Sequence, residues 1–238
     1  MDISVIFPGL AFVAGLATSI FLFFEWLRHG RRPRFYLYWA IALFLMFWFQ
    51  IPVILTNLGR TVEQSDFNFF FALTLPITFV ALVFIYRGVL AAIGLRLGST
   101  LKIVFFAWSL LAVVFFAWQF LANEGIIKTY ALPLVGNLGF YIPLRAMIIG
   151  VLLLWLWKAE GKTRYGILGA LAIIAESIIG LARNFLILKN VLAYPPEFWY
   201  VVLSGLDIFF ILQTASVLLL VAGFCLFHFR QFHNHMLH

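Results

Sequence analysis

The chain has 238 residues, of which 65% are hydrophobic and 11% are charged. Its mean hydropathy is +1.07. A soluble domain carries about 25% charged residues, so the composition excludes a soluble globular protein and predicts an integral membrane protein. The formal net charge is +7, but the Lys and Arg residues lie mostly between apolar stretches. There they indicate orientation in a membrane and argue against a nucleic-acid partner.

The chain is predicted to form one domain over residues 1–238, because no linker, low-complexity tract or block of like charge interrupts it. Its one cysteine, Cys225, excludes an intrachain disulfide framework and a cysteine metal cluster. The first residues, MDISVIF, lack the basic region of a cleavable signal peptide. We therefore expect the first apolar segment to be retained as a helix.

Seven apolar segments are each long enough to cross a bilayer as a helix, which takes about 20 residues. They predict an all-α fold, a bundle of seven transmembrane helices. Their approximate limits are 3–27, 35–57, 67–94, 101–122, 131–157, 164–188 and 198–227.

The basic residues between these segments predict how the chain crosses the membrane. Ten of them fall in the connections of one side and three in those of the other. By the positive-inside rule, the N-terminus is expected outside and the C-terminus in the cytoplasm. We expect a multi-pass protein of the cell membrane, in a bacterial or archaeal inner membrane. The ten are Arg28, Arg31, Arg32, Arg34, Arg96, Lys102, Lys158, Lys162, Arg164 and Arg230; the three are Arg60, Lys128 and Lys189.

The first three segments carry one acid and one base within their apolar runs. Glu25 has two interpretations: a structural ion pair with Arg87, which lies at comparable depth in the third segment, or an interfacial acid beside Arg28. The aromatic residues of the second segment, among them Trp39 and Trp48, are expected to face lipid or the interface.

The fifth segment places three polar residues at successive i+4 steps, so that they form one stripe: Asn137, Tyr141 and Arg145. Arg145 lies near mid-depth. Because a guanidinium stays charged at any accessible pH, it needs a carboxylate, carbonyl groups or water there.

The sixth segment gathers its small and polar residues on one helical face, opposite a face of Ile, Leu and Phe. Membrane helices pack such a small, polar face into the bundle. The face contains Gly166, Gly169, Ala170, Ile173, Glu176, Ser177, Gly180, Arg183 and Asn184.

The depths of the charged residues predict two buried pairs. Arg145 and Glu176 both lie near the centre of their segments, and Arg183 lies about 10 Å further out, close to the depth of Asp207. In the last segment, Asp207 and Thr214 are expected on one face, and Gln213 and Ser216 to point elsewhere.

These charges leave two interpretations open: pairs that only fix the helix register, or a polar pocket that binds a ligand. The candidate ligand-binding residues are Asn137, Tyr141, Arg145, Glu176, Arg183, Asn184 and Asp207.

Several kinds of site have no support in the sequence. No lysine lies in the interior of a segment and no histidine lies within one, which excludes a retinal Schiff base and bis-histidine haem ligation. GxSxG and HExxH motifs are absent, so nothing favours an enzyme, and no cofactor or metal is expected. The tail, His228 to His238, carries four of the five histidines and is expected to be solvated.

Two resemblances bear on function. The stretch RRPRFYLYWAIALFLMFW, residues 31–48, and the seven-segment layout resemble the membrane input modules of bacterial sensor kinases. The layout of three, one and three segments is similar to the sugar-transporting SWEET family, and a shift of about 131 residues aligns Gly30 with Gly161 and Phe67 with Phe198.

The leading hypothesis is a receptor-like or sensory module that binds a small or lipidic ligand among segments five to seven. No kinase region is present, so output would need a protein partner. A small-molecule transporter is the alternative that the SWEET resemblance implies, and a structural subunit of a membrane assembly is the third. Membrane lipids and a protein are the expected partners, with no nucleic acid.

Overall fold

The computed structural model describes residues 3–47, 64–122, 131–158, 163–193 and 207–236. Helices make up 93% of these residues, and none of them forms a strand. The predicted all-α fold is therefore confirmed for this part of the chain.

Eight α-helices and one π-helical segment, Gly136–Tyr141, follow one another through the described ranges. The helices are α1 (Ile3–Arg28), α2 (Arg34–Phe47), α3 (Gln64–Ala92), α4 (Ser99–Ala122), α5 (Ala131–Val135), α6 (Ile142–Lys158), α7 (Arg164–Ala193) and α8 (Asp207–Met236). The π-helical segment joins α5 to α6 without a break.

Within the described ranges, five helical stretches are long and apolar enough to cross a membrane, which is typical of a multi-pass membrane protein. Two shorter apolar helices cover Arg34–Met46 and Pro76–Ala92. The predicted continuation of the second segment beyond Phe47 lies outside the described residues. The five stretches are Ile6–Arg28, Ser99–Gln119, Pro133–Lys158, Arg164–Ala193 and Ile211–Arg230.

The helices pack into a closed ring. Along the chain, α1 packs on α2 and α2 on α3, while α6 packs on α7 and α7 on α8. Contacts of α8 with α1 and of α3 with α6 close the ring. The remaining long helix, α4, lies outside it against α3 and the π-helical segment, and most of its large apolar side chains are exposed.

Contacts of α8 bring several helix termini to one end of the bundle. Arg230 donates from Nη1 to the carbonyl of Ala92 at 3.2 Å, and its guanidinium lies 5.2 Å from the ring centroid of Trp155. The Tyr36 hydroxyl is 2.8 Å from Nδ1 of His228. The connections at 29–33 and 93–98, the end of α6 and the start of α7 therefore lie near this end, which we call the basic end.

The aromatic residues of α2 do not all face outward as expected. Trp39 is fully buried, and its ring stacks on Phe224 of α8 at 4.3 Å between centroids. Gly88 of α3 makes room for it, since a Cβ there would overlap the indole. The expectation is thus wrong for Trp39, and Trp48 lies outside the described residues.

The histidine tail also differs from the expectation. Helix α8 continues to Met236, and His228 is buried within the apolar stretch Ile211–Arg230. The prediction that no histidine lies in a spanning segment is wrong for this residue, because its ring packs against Phe21 and Tyr36 instead of meeting solvent.

Candidate functional site

The π-helical segment sets the start of the polar stripe. Pro143 has no N–H, so it cannot donate to a carbonyl of the preceding turn. The N–H of Ile142 donates to the carbonyl of Asn137, five residues earlier, and the indole of Trp108 in α4 donates to the carbonyl of Gly139 at 3.3 Å. Such π-helical turns occur frequently at functional sites.

Asn137 and Tyr141, two of the candidate residues, are buried in this segment. The side-chain amide of Asn137 donates to the carbonyl of Pro133 at 2.6 Å, so it forms a hydrogen bond within its own helical stretch. Tyr141 packs edge-on against the Phe79 ring, 6.2 Å between centroids, and its hydroxyl interacts with the Phe79 backbone.

Arg145 and Glu176 form the central contact of the site, as helical depth predicts. Nη1 of Arg145 donates to Oε1 of Glu176 at 2.8 Å, and the two side chains are 4% and 0% exposed. A buried ion pair needs good geometry and further hydrogen bonds to offset the desolvation of two charges.

Gly180 explains how the guanidinium reaches α7. A Cβ at this position would overlap Cζ, Nη1 and Nε of Arg145, so the guanidinium lies directly against the helix backbone. Gly180 of the small, polar face thus admits Arg145 one turn from Glu176.

The Glu176 carboxylate is satisfied by three donors. Oε1 accepts from Arg145 and from the Ser216 hydroxyl at 2.7 Å, and Oε2 accepts from the Ser177 hydroxyl at 3.2 Å. Three helices, α6, α7 and α8, thus meet at one carboxylate. Ser216, expected to point elsewhere, lies fully buried in the site.

The donors around this carboxylate are less well satisfied. Nε of Arg145, Nδ2 of Asn184 and Nε2 of Gln213 are buried and have no acceptor within the described part of the chain. The three residues are 3%, 9% and 3% exposed. Because an unpaired buried donor costs about 1–3 kcal/mol, three of them in one site call for an explanation.

The register of α7 and α8 places Gln213 beside Gly180. Gly169 faces Gly223, since a Cβ on either would lie 3.1 or 3.2 Å from the other's carbonyl. Glu176 lies seven residues after Gly169, and its partner Ser216 lies seven residues before Gly223. The two helices are therefore antiparallel. By the same register, Gln213, which precedes Ser216 by three residues on the same face, lies opposite position 179, next to Gly180.

We call Arg145, Glu176, Ser177, Gly180, Asn184, Gln213 and Ser216 the Arg145–Glu176 site. Arg183 lies close enough for electrostatic interaction with Arg145, Glu176 and Tyr141. Thr214 is buried too, but it shares its face with Val217, which contacts Gly15 of α1. The side chain of Asp207 lies outside the described part of the structure, and so does its expected pairing with Arg183.

Glu25 takes different partners from the predicted Arg87. Its carboxylate lies 3.6 Å from Arg28, 3.5 Å from His29 and 3.9 Å from His228. Arg87 is exposed, so it points away from the interior in which Glu25 is buried. The contact with Arg28 is the other interpretation of the sequence, but the two histidines were not foreseen.

Among the described residues, no three His, Cys, Asp or Glu side chains are placed to hold a metal ion. No protein-family model, curated protein or solved structure matches the chain.

Proposed function

We propose that this protein is a receptor-like membrane module that binds a small ligand in the Arg145–Glu176 site and passes the change to a partner protein. The proposal places it in the cell membrane with seven crossings, its N-terminus outside and its C-terminus in the cytoplasm. One observation carries it: buried donors of Arg145, Asn184 and Gln213 lack acceptors among the described residues, around a carboxylate that has all its partners.

A purely structural pair would not leave this pattern. When an ion pair only fixes helix register, its neighbours are expected to be apolar or mutually hydrogen-bonded. Here two amide side chains add donors beside the pair and find no acceptor among the described groups. A bound molecule that accepts hydrogen bonds would satisfy them.

Helix α8 offers a route from the site to the basic end. It carries Gln213 and Ser216 at the site, and His228 and Arg230 at the basic end, about 20 Å away at 1.5 Å per residue. His228 contacts Tyr36, and Arg230 contacts Ala92. A ligand that shifts α8 would therefore alter contacts with α2 and α3 at the end where a cytoplasmic partner would bind.

The transporter alternative keeps one supporting observation. Helices α1–α3 form one packed group and α6–α8 another, with α4 outside the ring, and transporters built from parallel repeats bind substrate between such groups. Flux of the bound molecule into proteoliposomes would favour this alternative over a receptor.

Retention of a ligand tests the proposal. The full chain, purified in mild detergent, is compared by native mass spectrometry with Gln213→Leu and with Asn190→Leu. Asn190 is a matched control because its amide donates to the Leu186 carbonyl of its own helix at 2.8 Å. We expect a small molecule on the wild type and the control and its loss from Gln213→Leu. Identical spectra for all three would contradict the proposal.

A further inference from the structure

We propose that the ligand of the Arg145–Glu176 site carries an oxyanion, a carboxylate or a phosphate, that binds between the Arg145 guanidinium and the amides of Asn184 and Gln213. This inference rests on the proposed function and names the chemistry of its ligand.

The missing hydrogen bonds all have the same direction. The atoms without a partner in the described part of the site are Nε of Arg145, Nδ2 of Asn184 and Nε2 of Gln213, and all three are donors. Both oxygens of Glu176 already accept hydrogen bonds, and one of them accepts two. The complementary group is thus rich in acceptors and needs no donor.

The charge of these donors favours an anion over a neutral acceptor. One of the three donors belongs to the Arg145 guanidinium, which stays charged at any accessible pH. Hydrogen bonds from an ionised donor to an oxyanion are stronger than those between neutral groups.

The donors come from three neighbouring helices. The Arg145 guanidinium of α6 lies against the α7 backbone at Gly180, where it fills the room that a side chain would take. Asn184 follows one turn later on the same face, and Gln213 of α8 lies opposite position 179. By this register, α6, α7 and α8 each carry one of the unpaired donors close to Glu176. A guanidinium edge with two flanking amides suits a group with several oxygens, such as a carboxylate or a phosphate.

The experiment measures the melting temperature of the delipidated full chain in detergent. Sodium phosphate or sodium acetate replaces sodium chloride at constant ionic strength, so that general screening does not change. At about ten times Kd, we expect a rise on the order of 3–6 °C for the wild type. Asn190→Leu should respond equally, while the double variant Asn184→Leu/Gln213→Leu should lose the response to both anions.

Two sources of the oxyanion are separated by a second measurement. If the natural source is a phospholipid headgroup, the protein before delipidation carries an anionic phospholipid adduct that phosphate displaces. If the source is a water-soluble carboxylate or phosphate, the melting temperature responds without such an adduct. Either result supports the inference.

Four results would overturn it. An equal rise in the double variant would show that these amides do not bind the anion. A response that appears only in Asp207→Asn would show that the chain's own carboxylate fills the site. A neutral molecule retained by the wild type and lost in Gln213→Leu, with no response to anions, would refute the oxyanion and leave the proposed function standing. No retained molecule and no anion response would refute both.

Discussion

At the scale of single residues, a double-mutant cycle can measure the interaction free energy between Arg145 and Glu176 apart from their contacts with other residues. Replacing either residue by Leu leaves the other charge buried without its partner, at a cost of roughly 3–5 kcal/mol in water-soluble proteins. We expect Arg145→Leu and Glu176→Leu each to lower the melting temperature more than the double substitution does. Additive losses in detergent would show that the two side chains do not interact.

Gly180 allows a second prediction at this scale. A methyl group at this position must displace the Arg145 guanidinium from α7, whereas a Cβ at Gly150 of α6 would meet nothing within 4 Å. We expect Gly180→Ala to reduce the monodisperse yield and melting temperature strongly, and Gly150→Ala to leave both unchanged. Equal effects of the two would mean that the guanidinium does not lie against this glycine.

The pairing of Arg145 with Glu176 was predictable because helical rise alone fixes the depth of a residue. The direction in which a side chain points around its helix axis is harder to predict from the sequence. Glu25 and Arg87 share a depth, but Arg87 points out of the bundle and His228 enters from α8. Likewise, the face of Ser216 could not be assigned before it was known which helix α8 packs against.

At the scale of elements, the π-helical segment shows what apolar periodicity cannot convey. The sequence predicted one continuous helix over 131–157, and the helical stretch Pro133–Lys158 is continuous. The widened turn, however, lies where Pro143 has no N–H to donate. The carbonyl of Gly139, which Pro143 leaves without its usual backbone donor, accepts a hydrogen bond from Trp108 of another helix. The prediction of a polar stripe from i+4 steps assumes a regular α-helix, so it could not include the π-helical turn.

Trp108 supplies the prediction for this element. We expect Trp108→Phe to destabilise the protein by roughly 1–3 kcal/mol, because the Gly139 carbonyl loses its donor. The matched control is Trp118→Phe on the same helix, whose ring is 61% exposed. The two variants can be compared by thermal melting in detergent, and equal stabilities would mean that the indole does not hold α4 to the π-helical turn.

At the scale of the whole molecule, the ring of helices explains why a small number of polar contacts can matter. Its interior is mostly apolar and aromatic, with Trp39, Phe79 and Phe224 among the fully buried rings. Against such a core, α8 interacts with its neighbours through polar groups at the Arg145–Glu176 site and, about 20 Å away, through His228 and Arg230 at the basic end. A shift of α8 at one of these places would alter the contacts at the other.

The arrangement of the basic end leads to the last prediction, which concerns topology. The contacts of Arg230 and His228 bring the connections at 29–33 and 93–98, the end of α6 and the start of α7 to the same end. Ten of the thirteen basic residues outside the interiors of the apolar segments lie in the sequence at or next to these positions, so this end should face the cytoplasm.

Single cysteines introduced into a Cys225→Ser background can be labelled with a membrane-impermeant reagent. We expect position 62 to react from outside in intact cells, and position 161 to react only after the membrane is opened. Cys225→Ser without a new cysteine is the control for background labelling. The reverse pattern at both positions would place the basic end outside, and the proposed cytoplasmic partner would then have no surface there to bind.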